Sequence, residues 1–297
     1  MASPSVTVVI PAYNAMSCIR TAIDSVLHQT VPPDEVIVVD DGSRDGTAAA
    51  VADYGDRVRL LTQANSGPGA ARNKGVRAAR AEWIAFLDAD DSWLATKIEK
   101  QLPYTGDSRV GIVHCRDASH WSLRQDRPID FDTLWKKNAI VLSTALVRRR
   151  AFDDVGGFSE RRELDGVEDY NLWLRIVAAG WHVATCPEAL YRYTPAPGNL
   201  TSQTKRFAMA ELENVSELGQ RLNLDAATIQ RKRVALLDEY GRELVYYRQL
   251  TTARPMLAEA FRARPTYRRA IWWLTTLLPP MVLDWRRSIH ADTSSAS

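Results

Sequence analysis

The feature that most constrains the fold of this 297-residue chain is a series of apolar runs that end in acidic residues. Residues 36–39 (Val-Ile-Val-Val) lead into Asp40 and Asp41, and residues 83–87 (Trp-Ile-Ala-Phe-Leu) lead into the acidic segment 88–91. Such runs are typical of buried strands in a parallel sheet. Open α/β sheets bind ligands at the carboxyl ends of their strands. We therefore expect a cationic ligand there, such as a divalent metal that carries a phosphorylated molecule.

The spacing of elements predicts an α/β architecture. Strands are expected at residues 6–10, 36–39, 58–61 and 83–87, and helices between them at 17–29, 47–54 and 70–80. This alternation indicates right-handed βαβ units and a mostly parallel sheet flanked by helices. Further along, we expect a strand at 140–147, a helix at 169–179 and a long helical region at 206–250. We divide the chain into a domain at 1–200 and a helical C-terminal region at 201–297.

Composition narrows the class of protein. The formal net charge of +2 argues against a nucleic-acid binder, which carries a strongly basic face. Cys18, Cys115 and Cys186 have no paired spacing, which fits a reducing compartment rather than a disulfide framework or a zinc site. The N-terminus has no basic segment before its apolar run, so we expect no signal peptide, and no stretch reaches the ~18 apolar residues of a membrane span. The expected location is the cytoplasm.

The residues after the first two strands could bind a nucleotide, but they lack the motifs of a phosphate loop and of a dinucleotide-binding enzyme. Residues 42–47 lack the Gly-Lys-Ser/Thr ending of a phosphate loop, and no Gly-x-Gly-x-x-Gly follows the first strand. Asp40 and Asp41 could accept hydrogen bonds from a base or a ribose, and Tyr13 could pack against a base. The alternative is that Asp41 simply begins a turn.

The other two acidic clusters each allow two interpretations. Asp88 and Asp90 alternate along the chain and can point at one hard divalent cation, or they can be solvated acids that cap the next helix. Glu168 and Asp169 lie before an apolar helix face, where acids stabilise the helix dipole by ~0.3–1 kcal/mol. The functional interpretation requires one of them to face the cleft as a general base.

Six segments occur in a recognisable order. They are residues 8–14 (Val-Val-Ile-Pro-Ala-Tyr-Asn), 38–47 (Val-Val-Asp-Asp-Gly-Ser-Arg-Asp-Gly-Thr), 65–75 (Asn-Ser-Gly-Pro-Gly-Ala-Ala-Arg-Asn-Lys-Gly), 86–91 (Phe-Leu-Asp-Ala-Asp-Asp), 155–160 (Val-Gly-Gly-Phe-Ser-Glu) and 168–175 (Glu-Asp-Tyr-Asn-Leu-Trp-Leu-Arg). Together they closely resemble the inverting family 2 glycosyltransferases with a GT-A fold, over about residues 5–195. The resemblance implies a nucleotide-sugar donor, usually a UDP-sugar, with Mn²⁺ or Mg²⁺, and a role in assembling a surface polysaccharide or glycoconjugate.

The resemblance also implies roles for individual residues. The nucleotide pocket would be lined by Pro11, Tyr13, Asp40 and Asp41. Asp88 would face the ribose and contribute to the metal site, and Asp90 would bind the metal on the diphosphate. Asp169 would be the catalytic base, and Glu168 would orient the site. Arg72 could face the donor phosphates, although a solvated helix arginine is an equal alternative.

The sequence departs from the family pattern at two points. Many relatives carry a histidine after the Glu-Asp helix, but residues 190–201 contain none, which puts a second protein-derived metal ligand in doubt. Ser159 stands where the family has aspartate, which we interpret as a minor change of helix cap.

The C-terminal region combines apolar and basic residues. Residues 254–290 hold seven arginines against Glu259 and Asp284, and an apolar stretch with Trp272, Trp273 and Trp285 lies between the arginine groups. This pattern favours a segment that lies on an anionic membrane surface, where a lipid-linked saccharide acceptor would be found. The alternative is a helix that docks on its own core or on a second subunit of a homo-oligomer.

Two other functions remain open from sequence. A nucleotidyltransferase also uses a metal site at strand ends, but it normally carries a Gly- and Lys/Arg-rich loop after the first strand, unlike residues 11–14 (Pro-Ala-Tyr-Asn). A catalytically silent nucleotide-sugar-binding subunit is the second alternative. The presence of Asp88, Asp90 and Asp169 argues against it.

Overall fold

The computed structural model describes residues 4–117, 128–194, 204–279 and 283, and the chain divides into two compact units, Met1–Asn199 and Leu200–Ser297. The strands of the first unit are Val6–Ala12 (β1), Glu35–Asp40 (β2), Arg59–Thr62 (β3), Trp83–Phe86 (β4), Ser92–Trp93 (β5), Val110–Asp117 (β6), Leu146–Arg148 (β7) and His182–Arg192 (β8). Its α-helices are Ile19–Leu27 (α1), Thr47–Ala52 (α2), Pro68–Ala78 (α3), Lys97–Gln101 (α4), Phe131–Lys136 (α5), Arg149–Asp154 (α6) and Glu168–Ala178 (α7). The second unit contains Thr204–Arg221 (α8), Ala226–Tyr246 (α9), Leu250–Ala263 (α10) and Tyr267–Thr275 (α11).

The first four strands form the parallel half of one sheet, in the order β3-β2-β1-β4. Every residue of β4 and all but the first residue of β2 are buried, as the uninterrupted apolar runs predict. The predicted βαβ units are therefore confirmed, and the observed strand ends differ from the predicted ones by one or two residues.

The other half of the sheet is mixed and continues as β7-β6-β8-β5. Strand β7 is antiparallel to both β4 and β6, whereas β6 and β8 are parallel. The predicted strand at 140–147 is wrong for most of its length, because Leu142–Thr144 forms a 3₁₀ turn before β7 begins. In this turn the Thr144 hydroxyl donates to the Val141 carbonyl at 2.6 Å, a local bond that competes with strand pairing.

Helix α3 lies unusually close to the sheet. It begins at Pro68, after Gly67 with a φ of 96° that favours glycine. At Gly75 a Cβ atom would lie 2.4 Å from Val9 Cγ1 of β1, so only glycine allows this approach. As a consequence Arg72, one turn earlier, is buried beside the sheet.

The second unit is helical, as the sequence predicts. The expected region 206–250 consists of α8 and α9, because Asn223 adopts the left-handed conformation after α8 and Asp225 caps α9 through Thr228 N at 2.9 Å. The Tyr240 hydroxyl of α9 donates to Glu211 Oε2 of α8 at 2.6 Å. Among the described residues, no helix combines the length and the apolar character needed to cross a membrane.

Candidate active site

Two of the acidic clusters lie at one edge of the sheet because three parallel strands end there. The register aligns Ala12 of β1 with Asp40 of β2. On the other side of β1, Leu87 N donates to Val9 O at 3.2 Å, which extends the β4 pairing to the residue before Asp88. The carboxylates that follow β2 and β4 are thus brought to the same end of the sheet.

Arg72 connects the second acidic cluster with the third. Its Nη2 atom lies 2.7 Å from Asp88 Oδ1, and its Nη1 atom lies 2.5 Å from Glu168 Oε1. Its guanidinium also lies 5.4 Å from the centroid of the Phe158 ring. Arg72 is only 4% exposed, so the alternative of a solvated helix arginine is wrong.

The two acids at the start of α7 have different environments. Glu168 is buried, and its second oxygen accepts a hydrogen bond from Gly166 N at 2.6 Å in addition to the Arg72 ion pair. Asp169 is partly buried and accepts from Tyr170 N at 2.6 Å and from Asn138 Nδ2 at 3.4 Å. Burial, reinforced by the charge of Glu168, raises the pKa of Asp169 to about 7. Asp169 can therefore exchange a proton near neutral pH, whereas Glu168 is held by Arg72.

The segment after β4 is arranged around a buried serine. The Ser143 hydroxyl donates to Asp91 Oδ2 at 2.7 Å and accepts from Asp88 N at 3.1 Å. Asp91 is buried, whereas Asp88 and Asp90 are partly exposed. Burial and the charges of these two neighbours raise the pKa of Asp91 to about 8. The loop thus gathers three carboxyl groups, of which those of Asp88 and Asp90 are accessible to a ligand.

Asp88 and Asp90 supply only some of the ligands that a divalent cation needs. In the described portion of the chain, no group of three or more His, Cys, Asp or Glu side chains can hold a metal ion. Asp88 and Asp90 supply carboxylate oxygens, which hard cations prefer, and the repulsion felt by Asp91 is one that a cation would relieve. The donor set fits Mg²⁺ or Mn²⁺ provided that a diphosphate and water supply the remaining ligands.

The acids at the end of β2, Asp40 and Asp41, organise the loops around them. Asp41 is buried and accepts three hydrogen bonds, from Gln63 Nε2, Ser66 N and Gly67 N, at 2.8–2.9 Å. It therefore fixes the loop that leads into α3. Asp40 Oδ1 accepts from Ser43 N at 3.1 Å.

The turn after β1 presents an aromatic ring to solvent. Tyr13 is 49% exposed and Pro11 is half-buried. The neighbouring Asn14 has a φ of 50°, and its side chain accepts from Arg44 N at 2.8 Å, which joins the turn after β1 to the turn after β2. The Tyr13 ring is thus held on an ordered turn and is available for stacking.

Sequence reasoning missed several residues that build this site. Ser143, which contacts Asp91 and Asp88, falls within the predicted strand at 140–147, and Asn138, which contacts Asp169, lies just before that strand; neither residue gives a sequence signal of its role. Asn73 holds the turn at Phe158 in both directions, accepting from Phe158 N at 2.9 Å and donating to Phe158 O at 3.0 Å. The Gly-Gly-Phe sequence at 156–158 was the signal for this turn, because both glycines have positive φ values.

Some predicted features lie outside the described residues. They include residues 119–127 of the polar stretch 119–137, whose sequence shows no periodic pattern. They also include residues 195–201 of the segment without histidine, and residues 280–282 and 284–290 of the basic C-terminal segment.

Comparison with known proteins agrees with this architecture. The chain is 42% identical over 220 residues to the putative teichuronic acid biosynthesis glycosyltransferase TuaG of Bacillus subtilis. The matching region covers 69% of this chain and 84% of TuaG. It is 33% identical to two uncharacterized glycosyltransferases of Rickettsia typhi and Rickettsia prowazekii, and spans 58–59% of their length.

Solved structures show the same fold. The mannosyltransferase PcManGT from Pyrobaculum calidifontis, in complex with GDP-Man and Mn²⁺, matches with a TM-score of 0.64 and 23% identity, covering 94% of this chain and 82% of that one. Staphylococcus aureus TarS 1–349 with UDP-GlcNAc matches with a TM-score of 0.60 and 18% identity, covering 92% and 79%. These likenesses confirm the expected GT-A fold.

The glycosyl transferase family 2 model matches residues 7–163, which is more than half of the chain. The matched segment contains β1 to β4, Arg72 and the acidic loop at 88–91, and it ends shortly before Glu168 and Asp169. The family match and the likeness to TuaG show that this chain belongs to glycosyl transferase family 2.

Proposed function

We propose that the chain is an inverting, metal-dependent glycosyltransferase that transfers a sugar from a nucleotide-sugar donor to an acceptor hydroxyl. The observation that carries this proposal is the different state of the two acids at the start of α7. Glu168 forms an ion pair with Arg72, while Asp169 is partly exposed with a pKa raised to about 7. A carboxylate with such a pKa suits general-base catalysis at neutral pH.

In the proposed reaction Asp169 accepts the proton of the acceptor hydroxyl. The acceptor oxygen then forms a bond to the anomeric carbon as the bond from that carbon to the donor phosphate breaks, with inversion. The transition state resembles an oxocarbenium ion, as in glycoside hydrolysis. Because the leaving group is a nucleoside diphosphate, a single side-chain base is sufficient, and no side chain needs to act as general acid.

The donor nucleotide would bind between the turns that follow β1 and β2. Asp40 offers an acceptor to the base or the ribose, and the exposed Tyr13 ring offers a stacking surface beside Pro11. Asp41 would act by fixing the loop at residues 63–67. We propose a UDP-sugar as donor, and the nucleotide sugars bound to PcManGT and TarS support this donor class.

Asp88 and Asp90 would hold Mg²⁺ or Mn²⁺ against the diphosphate, with Asp88 also facing the ribose. When bound, the ion would neutralise the charge that develops on the leaving diphosphate. Arg72 ties Asp88 to Glu168, so it would position the metal-binding loop relative to the base and could also contact a donor phosphate. Glu168 would orient α7 through Arg72 and Gly166.

The remaining parts of the proposal are the catalytic domain, the class of acceptor and the biosynthetic process. We propose that residues 1–200 form the catalytic domain and that the acceptor is a saccharide or a lipid-linked saccharide at the cytoplasmic side of a membrane. Surface polysaccharide or glycoconjugate synthesis fits this chemistry, and teichuronic acid biosynthesis is the role given to TuaG.

Two measurements test the proposal. A thermal-shift panel of UDP, GDP, dTDP and CMP with Mn²⁺ should reveal one cognate nucleotide, since stabilisation grows as RT ln(1 + [L]/Kd). With the corresponding nucleotide sugars, Asp169→Asn should abolish transfer and leave nucleotide affinity nearly unchanged. Asp56→Asn, which changes an exposed acid in the same unit, is the matched control. Near-normal turnover of Asp169→Asn would refute the base assignment.

A further inference from the structure

Helix α11 of the second unit has two contrasting faces. On one face the Trp273 ring stacks on Phe261 of α10, with centroids 6.1 Å apart, and Thr276 just beyond the helix is buried and accepts from Arg254 Nη2 at 2.7 Å. The other face is apolar and open to solvent. It consists of Tyr267, Ile271 and Leu274, which recur every three or four residues, and it continues past the end of the helix with Leu277 and Leu278; all five are 43–71% exposed.

The charges around this open face all have the same sign. Residues 261–283 contain four arginines and no acidic residue. Arg269 points to the second unit's own core, where it lies 3.8 Å from Asp238. Arg262, Arg264 and Arg268 are exposed, and within the described parts of the chain no carboxylate lies within 4.0 Å of their side chains. The open face is therefore an apolar stripe with uncompensated positive charge at its side and its N-terminal end.

We propose that this face of α11 binds the headgroup region of an anionic lipid bilayer. An amphipathic helix of this kind lies in the interface, with its apolar side chains at the acyl boundary. Arginines extend their charged ends to lipid phosphates while their aliphatic stems stay on apolar surface. The proposal concerns binding of the second unit and does not depend on the proposed activity.

Two observations favour a lipid surface over other occupants. A symmetric dimer through this face would bring the same arginines of two copies together, which is electrostatically unfavourable. Moreover, the chain as a whole carries a net charge of only +2, so the local positive charge is a property of this face and not of the whole surface. An anionic bilayer can bury the apolar stripe at its acyl boundary and pair the arginines with lipid phosphates.

The test is co-sedimentation of the full chain with vesicles. The protein should pellet with vesicles of equimolar phosphatidylcholine and phosphatidylserine, remain in solution with phosphatidylcholine alone, and be released by high salt because screening weakens the arginine contacts. The double variant Ile271→Asp/Leu274→Asp should lose binding. Arg264→Gln/Arg268→Gln, which keeps the apolar face, should weaken it on the order of 30-fold.

Controls distinguish this outcome from unfolding and from self-association. Met209→Asp adds one negative charge, against two in the double variant, at an exposed apolar residue of α8 and should leave vesicle binding unchanged. Circular dichroism and Tm should match the parent protein for each variant. The proposal is overturned if the parent protein does not pellet with anionic vesicles, or if the arginine variant binds as well as the parent. It is also overturned if light scattering shows that the double aspartate variant only converts a dimer into a monomer.

Discussion

Arg72 Nη1 lies 2.5 Å from Glu168 Oε1, although 96 residues separate the two in the sequence, and both side chains are buried. The pair joins α3 to the start of α7, and the same guanidinium reaches Asp88. One cation thus connects the loop after β4 with the helix that carries Asp169.

Removing the cation of this pair should strongly destabilise the first unit. Arg72→Met leaves Glu168 buried without a counter-charge, and breaking a buried pair in this way costs about 3–5 kcal/mol. The double variant Arg72→Met/Glu168→Gln should recover part of that loss because it removes the stranded charge as well. Urea unfolding would measure both free energies. Arg77→Met, which breaks the exposed pair with Glu160, is the control and should change stability little. An equal loss in the single and double variants would contradict the expected coupling.

The activity should depend on pH through Asp169. Because burial raises its pKa to about 7, kcat/KM should fall about tenfold per pH unit below that value as the base becomes protonated. A pH–rate profile measures this directly. If the acidic limb instead has its midpoint near the ordinary aspartate value of about 4, the base is another group.

The same pKa predicts an effect on stability with the opposite dependence. An unfolded aspartate has a pKa of about 3.9, so between that value and about 7 the folded protein binds a proton at Asp169 that the unfolded chain does not bind. The stabilising contribution of this proton is complete below about pH 4 and is lost as the pH rises through 7. The variant Asp169→Asn cannot titrate at this position, so it does not lose this contribution. The free energy of unfolding of Asp169→Asn, minus that of the parent protein, should therefore increase as the pH rises from 4 to 8. Chemical unfolding at several pH values would check this, and a pH-independent difference would contradict it.

Ser143 should act as a positioning residue for the metal-binding loop. Its hydroxyl joins Asp91 to the backbone of Asp88, so Ser143→Ala should raise the Mn²⁺ concentration for half-maximal activity by about 10-fold or more. The activity at saturating Mn²⁺ should fall less. Thr105→Val removes another buried hydroxyl of the same unit, one that donates to Leu102 O, and should not change the metal dependence. An identical response of both variants would show that Ser143 has only a structural role.

Gly75 should be essential for the close packing of α3. Gly75→Ala would bring a Cβ to 2.4 Å from Val9 Cγ1, and such overpacking typically costs about 1–3 kcal/mol despite the better helix propensity of alanine. Gly106→Ala is the matched control, because a Cβ there meets no atom within 4 Å and φ is −69°. Thermal or urea unfolding should separate the two variants, and equal stability would show that α3 can move away from the sheet without cost.

Strands β2 and β4 of the parallel half could be predicted because they are continuous, buried apolar runs. The short β7 could not, since Thr144 uses its hydroxyl for a local bond to Val141 O and Ser143 donates its hydroxyl to the distant Asp91, and no periodicity reveals either bond. The acidic clusters indicated the position of the site. The buried state of Arg72 was not predictable, because it depends on Gly75 bringing α3 onto β1 and on a partner 96 residues away.

Strand order also has a consequence for how the first unit is made. β8, the last strand among the described residues, begins well beyond the end of the family match at residue 163, yet it lies inside the sheet between β6 and β5. A nascent chain of that length would carry an open strand edge on β6, and β5 would have no neighbour in the sheet. We therefore expect the sheet to close only after His182–Arg192 has left the ribosome, so that this long-range pairing is a late step of folding.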